Sequence, residues 1–518
     1  MAMQGKKIYQ EKLFNNFQLS DRVPTTSFYR RLKDVLHLDF LYKKTKCYYG
    51  NSGQQSIDPI VFFKLCLVGY LENIISDRQL IEHCSMRLDI LYFVGYDIDE
   101  TLPWHSTISR TRQLFPEEIF EEVFTHVLEM CVEKGMVAGT AQAIDSAPIK
   151  ANASMDSLEL KVPKQDLSSH LKAVSDTNDN DAESGDKPNE KNRDQELSDA
   201  KLNVITSDKH KGNLSGIHKK GSTNANNKTH YSPTDPDARI SVKPGKAVKL
   251  NYHSQLSVDT AHHVITDINA YHADKKDSQC LEDIVERLSA RLWKFGFVWE
   301  DLLADTGYCS GEVYAFLEKK GVQAYISIPD SYKGGPEGFT YNKEEDHYIC
   351  PNGEIIPFKK VFTHRYKGNQ TLKKQYCSSS KQCKGCALAE KCLSKTARHK
   401  RFEVTYYREE YERTKARLKT PKGKHMPLKR QSTVEPVFGT LTQYLGLRKI
   451  NTIGIKQANK VMHLSAMAYN LKKYLKFNQK LIKSDAKKER LTRLNQKFLT
   501  ELICSFLRLP NFAILHPI

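Results

Sequence analysis

Apolar residues recur with a helical period in the first part of the chain and with a two-residue period in its middle. In DPIVFFKLCLVGYL, Ile60, Phe63, Leu67 and Leu71 share one face, with Asp58 placed to cap and Pro59 at the first helical position. SDRQLIEHC opens on a capping Ser76, and STISRTRQLF follows it. PEEIFEEVFTHVLEMCVEKG then opens on Pro116 and closes on Gly135. Residues 1–136 therefore read as a helical N-terminal domain. One of its last helices carries Ser106, Thr107, Ser109, Arg110 and Arg112. That arrangement fits a DNA-binding helix-turn-helix, and it fits a plain helical bundle equally.

The texture changes at Gly139, where TAQAIDS predicts a short buried strand ending in a carboxylate. Residues 155–235 lose their apolar content, and VSDTNDNDAESGDKPNEKNRDQELSDAK reads as a low-complexity insertion with too little to bury. KLNYHSQLSVDT and HHVITDINAY alternate as two strands around a turn at Ala261-His262. A helix over 278–295, a strand in DLLADTGY, a helix in GEVYAFLEKKG and a strand in VQAYISIP follow, so residues 137–330 predict a mixed α/β sheet. Residues 331–403 read as a β-rich, cysteine-bearing subdomain. Helices are expected over 404–418, about 433–446 and 454–476, with KTPKGKHMPLKR as a basic loop between the first two and a basic tail over 477–518.

Charge sharpens this picture. The 518 residues hold 79 Lys+Arg against 61 Asp+Glu, a net +18. Residues 351–518 hold 37 of the cations and 10 of the acids, so the excess is local. Such a segment repels itself unless a polyanion is near, which makes nucleic acid the leading partner and an anionic membrane surface the second. No apolar run approaches the ~20 residues that span a bilayer. The N-terminus shows no signal-peptide core, so a cytoplasmic location and no membrane partner are expected.

Three acids stand out by position. Asp145 and Asp305 each close a predicted strand, and Glu435 falls in the first turn of a predicted helix behind Ser432 and Thr433. Val434, Val437, Phe438, Leu441 and Leu445 would bury that helix against the sheet. Carboxylates converging from two strands and a helix suit magnesium, which prefers oxygen ligands. A strand-end Asp also serves as a turn residue, and a first-turn Glu also complements the helix dipole.

The order of motifs adds to this. AIDSAPIKANAS, SVDTAHHVITD, LLADTGYCS and STVEPVFGTLTQYLGLRKINTIGIKQANKVMHLSAMAYNLKK together resemble the DDE transposases of bacterial insertion sequences, and among them the IS-four clan. DPIVFFKLCLVGYLENIISDRQLIEHC and HSTISRTRQLF resemble that family's helical N-terminal domain. The resemblance runs from about Asp58 to about Leu475, apart from the insertion. It implies a ribonuclease-H-like catalytic core, completed by the C-terminal helices over 404–476. It further implies a catalytic triad of Asp145, Asp305 and Glu435 holding Mg²⁺ or Mn²⁺, and DNA cleavage followed by strand transfer. The implied partners are terminal inverted repeats and target DNA, bound by a homo-oligomer associated with the bacterial nucleoid. The clan's helix signature has a Tyr and an Arg before the Glu and a Lys seven residues after it. Here Arg430 stands five before, no Tyr fits, and Thr442 stands at the Lys position, leaving Arg448 and Lys449 as candidates for the missing cation. The expected DNA contacts are Thr107, Arg110, Arg112, Arg430, Arg448 and Lys449. Two other readings share these motifs: a metal-dependent nuclease without strand transfer, and an inactive DNA-binding derivative. Asp259, in SVDT, rivals the first two acids but is expected to be a hairpin residue or a partner behind them.

Five of the twelve cysteines fall between Cys350 and Cys392. Without an export signal a disulfide framework is not expected. Cys377, Cys383, Cys386 and Cys392 form the compact set that zinc would take, and ordinary reduced thiols fit the same spacing.

Overall fold

The computed structural model describes residues 18–50, 52, 56–162, 203–204, 225–241, 248–330, 332–366, 369–394 and 396–477. Most of the low-complexity insertion, and the basic tail beyond Phe477, lie outside them. The described residues divide into two compact units, one formed by those up to 134 with those from 439 onward and the other by those between 135 and 438.

The first unit is helical. Asp58 accepts from the Ile60 and Val61 N–H groups at 2.7 and 3.1 Å, so the helix Pro59–Leu71 starts where its cap and proline predict. The helices Asp77–Ser85, His105–Leu114 and Glu117–Glu133 follow. The helix Ile455–Lys476 also belongs to this unit, although its sequence position suggests a role in completing the catalytic core. Every residue from Ala458 to Leu471 on it is buried, so it is wrapped on all sides by its neighbours, Pro59–Leu71 and Glu117–Glu133 among them.

Lys460 carries an ammonium group into that buried run, which also holds the polar Asn459, His463, Ser465 and Asn470. It is 3% exposed, and its Nζ donates to the Arg112 and Phe115 carbonyls at 2.8 and 2.7 Å, closing the C-terminus of the helix His105–Leu114. Burial pushes its ammonium down to about 8. The unfolded chain keeps that proton up to ~10.4, so between these values unfolding takes up a proton and stability rises with pH. The melting temperature of the wild type relative to Lys460→Met is therefore expected to climb between about pH 8 and about pH 10. Parallel melting profiles for the two proteins would refute this.

The second unit is built on a six-stranded sheet. Strands β1 (Ala141–Lys150), β2 (Lys249–Asp259) and β3 (Ile265–His272) form an antiparallel meander, with β2 between the other two. Helix α1 (Asp277–Lys294) leads to β4 (Asp301–Ala304), and helix α2 (Gly311–Lys319) leads to β5 (Gln323–Ile326). β4 pairs with β1 and β5 with β4, both parallel, giving the order β3-β2-β1-β4-β5. A short strand, Arg239–Ser241, shares the outer edge of β2. Ile144, Leu302 and Ile326 of the sheet meet Leu281, Ile284 and Leu288 of α1 and Leu317 of α2 in one core. Asp267 of β3, 1% exposed, pairs with Arg291 and, at 2.5 Å, with Arg287, which ties α1 to the sheet. At the ends of the insertion, Glu159–Val162 pairs with Asn203–Val204 and with His230–Tyr231.

A second, five-stranded antiparallel sheet follows in chain order: β6 (Thr340–Asn342), β7 (His347–Ile349), β8 (Ile355–Tyr366), β9 (Asn369–Cys377) and β10 (Arg401–Thr405). The two helices after it, α3 (Arg408–Lys419) and α4 (Pro421–Tyr444), depart from expectation. Val404, predicted to open a helix, is paired with Lys374 in the sheet, and α3 starts only at Arg408. The basic stretch predicted as a loop is helical from Pro421 onward. Thr420 explains the early start, because its hydroxyl accepts from the Gly423 N–H at 3.0 Å just ahead of a proline that needs no partner. Glu435 consequently sits well inside α4 and not in its first turn, and the Ser432 and Thr433 hydroxyls, which would cap a helix starting there, bond back to the Lys429 carbonyl.

Candidate active site

Asp145 is not at a strand end but midway along β1. The parallel register pairs Ala143 with Leu303, so two residues further on Asp145 comes level with Asp305, which leaves β4. Asp305 turns the chain there, its carboxylate accepting from the Gly307 N–H at 2.9 Å. The third side chain at this place is Arg430 of α4, whose Nη1 donates to Asp145 Oδ2 at 2.8 Å. Its Nη2 lies 4.0 Å from Glu435 Oε1. Arg430 thus links the β1 aspartate to the glutamate of α4. Glu435 itself is 53% exposed along its side chain, whereas Asp145 is 17% exposed.

Burial raises the carboxyl pKa of Asp145, and the nearby charge of Asp305 raises it further. The Ser146 N–H, at 2.8 Å, and the Arg430 guanidinium oppose that rise without cancelling it. A carboxylate held under such tension gains from a cation. Oxygen donors at matching heights on adjacent strands are the donor set that magnesium takes. Among the described residues, however, no three Asp, Glu, His or Cys side chains are grouped closely enough to hold a metal ion.

A buried network stands behind these acids, and nothing in the residue spacing signals it. Tyr308, fully buried, follows Asp305 by three positions. Its hydroxyl bonds to Gln255 of β2 and to the Ser146 side chain, next to Asp145. Gln255 donates in turn to Asp277 Oδ1 at 2.9 Å, which also lies 3.2 Å from His253 Nε2. Burial raises the Tyr308 phenol well above its ordinary value, so it stays a neutral hydrogen-bonding post. Gly307 fits between Asp277 and Asp305. A Cβ there would lie 2.7 Å from one carboxylate oxygen and 3.0 Å from the other.

The remaining predicted residues fall into place less uniformly. Asp259 is wholly buried and accepts from Gly139 N at 2.8 Å, Ala261 N at 2.9 Å and Gln142 Nε2 at 3.1 Å, which is the hairpin role expected of it. Arg112, expected to reach DNA, is turned inward and holds Asp77 through two N–H groups at 2.7 and 3.0 Å. Its neighbour on the helix, Arg110, is exposed, and Thr107 is half-buried. Arg448 is exposed and Lys449 half-buried in the first unit. Cys383, Cys386 and Cys392 line a common cavity with Cys350, and Cys377 is not among its lining residues. All eleven cysteines within the described residues are free thiols.

Among the described residues no helix is long and apolar enough to cross a membrane. Comparison with known proteins gives two family matches. Residues 17–114 match a transposase domain family (DUF772), and residues 349–475 match a transposase DDE domain family, a span that includes Arg430 and Glu435. No curated protein is close enough to match. A solved structure that aligns is the cryo-EM synaptic complex of piggyBac transposase with hairpin DNA, at 9% identity and a TM-score of 0.30, covering 92% of this chain and 79% of that one. Two segments of the chain thus match transposase families, the second of them a DDE domain.

Proposed function

We propose that this chain is an active insertion-sequence transposase of the bacterial IS-four clan, cutting and rejoining DNA through Asp145, Asp305 and Glu435. The observation that carries the reading is that Asp305, directly after β4, follows the Ala143–Leu303 pair by two residues as Asp145 does and acts on Asp145 through its charge, with Arg430 tying Asp145 to the helix of Glu435. The order β3-β2-β1-β4-β5, with an antiparallel meander and two parallel additions, supports a ribonuclease-H-like core. Asp145 and Asp305 present the oxygens that would hold magnesium or manganese, and Glu435 approaches from α4 to complete the set. The chemistry such ions supply when bound is activation of the attacking oxygen and stabilisation of the leaving one. Arg430 spends one N–H on Asp145, and a guanidinium has five, so the others remain for a scissile phosphate. The Tyr308 post fixes the turn that carries Asp305 against the strand that carries Asp145. Arg110 and Thr107 are the N-terminal contacts this reading keeps, and the cations of 351–518 hold the DNA backbone in a salt-sensitive way. Assembly as a homo-oligomer on the element's inverted repeats, in the bacterial cytoplasm, belongs to the same reading.

The test uses a duplex carrying the sequences that flank the reading frame, incubated with the full chain, magnesium and a supercoiled target. Nicking at the repeat ends, with joined products, is the expected result. Cleavage without joining would select a nuclease, and tight binding without cleavage an inactive DNA-binding derivative.

A further inference from the structure

Strand β8 outruns its neighbours. β7 pairs with it only over Ile355–Pro357, and β10 pairs with β9 only over Lys373–Cys377. Thr363–Tyr366 and Asn369–Leu372 therefore form a two-stranded ribbon that no third strand of the described residues flanks. A ribbon of two strands is marginal by itself in water. This one is rooted in the five-stranded sheet, where the rings of Phe358 and Tyr376 meet edge to face at 6.0 Å and Lys374 pairs with Asp346 at 2.9 Å.

Its composition is one-sided. Residues 355–377 hold six Lys and Arg and no Asp or Glu. Lys373 and Lys374 are paired with Glu403 and Asp346, while Lys359, Lys360 and Arg365 are exposed. Lysines on a free strand edge also keep other strands from pairing there, which accounts for Lys359 and Lys360. It does not account for the tip. There Arg365 stands opposite Gln370, and Thr363 stands opposite Leu372. Residues directly opposite in an antiparallel pair share a face, and so do residues two apart along a strand. Thr363, Arg365 and Gln370 are thus exposed together on one face of the ribbon. Arginine and glutamine are the side chains that take guanine and adenine edges through two hydrogen bonds at once.

We propose that this ribbon lies in the major groove of duplex DNA, with Arg365 and Gln370 on base edges and Lys359 and Lys360 on the flanking phosphates. Two strands ~4.8 Å apart fit within a groove ~12 Å wide, as β-ribbon readers of DNA do, whereas the deep, narrow major groove of an RNA helix admits no such element. The inference rests on the reading of the chain as an enzyme that acts on DNA, and adds to it the place where sequence is read.

The test measures binding of the full chain to two duplexes of equal length over a range of salt, one carrying the sequences that flank the reading frame and one unrelated. Arg365→Ala combined with Gln370→Ala should weaken binding to the flanking-sequence duplex about tenfold or more and leave the unrelated duplex within about twofold. Lys359→Gln combined with Lys360→Gln should weaken both duplexes alike and lower the slope of log K against log salt by up to ~1.8. All four side chains are exposed, so both variants should melt with the wild type. A second readout needs no variant: replacing guanine N7 by a C–H group in the flanking-sequence duplex removes an acceptor from the major groove and should weaken the wild type. Wild-type DNA binding that is indifferent to the Arg365→Ala and Gln370→Ala changes and to the altered guanines would overturn the ribbon while leaving the enzyme reading in place. An equal loss on both duplexes from Arg365→Ala with Gln370→Ala would also overturn it, since contacts to phosphate alone carry no sequence. A wild type that binds neither duplex would overturn this inference and the enzyme reading together.

Discussion

If the proposed triad is right, Asp145→Asn, Asp305→Asn and Glu435→Gln are each expected to lower cleavage of the cognate ends by ~10³-fold or more, with DNA binding kept at the wild-type level. Each change replaces one carboxylate oxygen by an amide nitrogen in a side chain of the same shape. In Asp145→Asn the amide still offers Arg430 an oxygen to hold, so the fold around β1 survives and only the charge is lost. The assay is magnesium-dependent nicking alongside a mobility shift on the same duplex. Asp259→Asn is the contrasting case. Its carboxylate accepts from backbone N–H groups of Gly139 and Ala261, and an amide nitrogen turned toward either would face a donor. Its loss of activity should therefore follow its loss of thermal stability. A stable, inactive Asp259→Asn beside an active Asp145→Asn would move the catalytic role to β2.

The second large effect is on stability. Asp267→Ala removes the carboxylate that Arg291, itself 4% exposed, holds, whereas Arg287 keeps Asp283 at 3.5 Å. Removing one side of a buried ion pair costs about 3–5 kcal/mol, which would show as a lower urea midpoint. Replacing Arg291 by leucine in the Asp267→Ala background should recover much of the loss, since the penalty lies in the stranded charge and not in missing attraction. A single-variant loss under about 1 kcal/mol would mean that water reaches this arginine.

The hydrophobic spacing predicted the β2–β3 hairpin, the helix over 278–295 and the alternation that builds β4, α2 and β5, because each of these elements shows one clear period. It failed around α4, where KTPKGKHMPLKR has the glycine, prolines and lysines of a loop. There a single threonine hydroxyl ahead of Pro421 decides for helix, and long-range contacts such as Lys422 with Asp301 hold it. The two aspartates were visible as carboxylates followed by small residues. Their levelness was not, since it depends on the register of β1 with β4. Arg112 looked like a DNA contact because Asp77, 35 residues away, leaves no trace in its local pattern. The Tyr308, Gln255 and Asp277 network was illegible for the same reason, as its members come from three separate elements.

Gly307 carries one more consequence. Most glycines in a chain are tolerated substitutes for something else, and a lineage can replace them one base at a time. At position 307 the missing methyl group is the space in which Asp277 and Asp305 stand back to back. An alanine there would have to displace the Asp277 carboxylate and crowd that of Asp305, so the constraint at this position is one of volume and not of backbone angle.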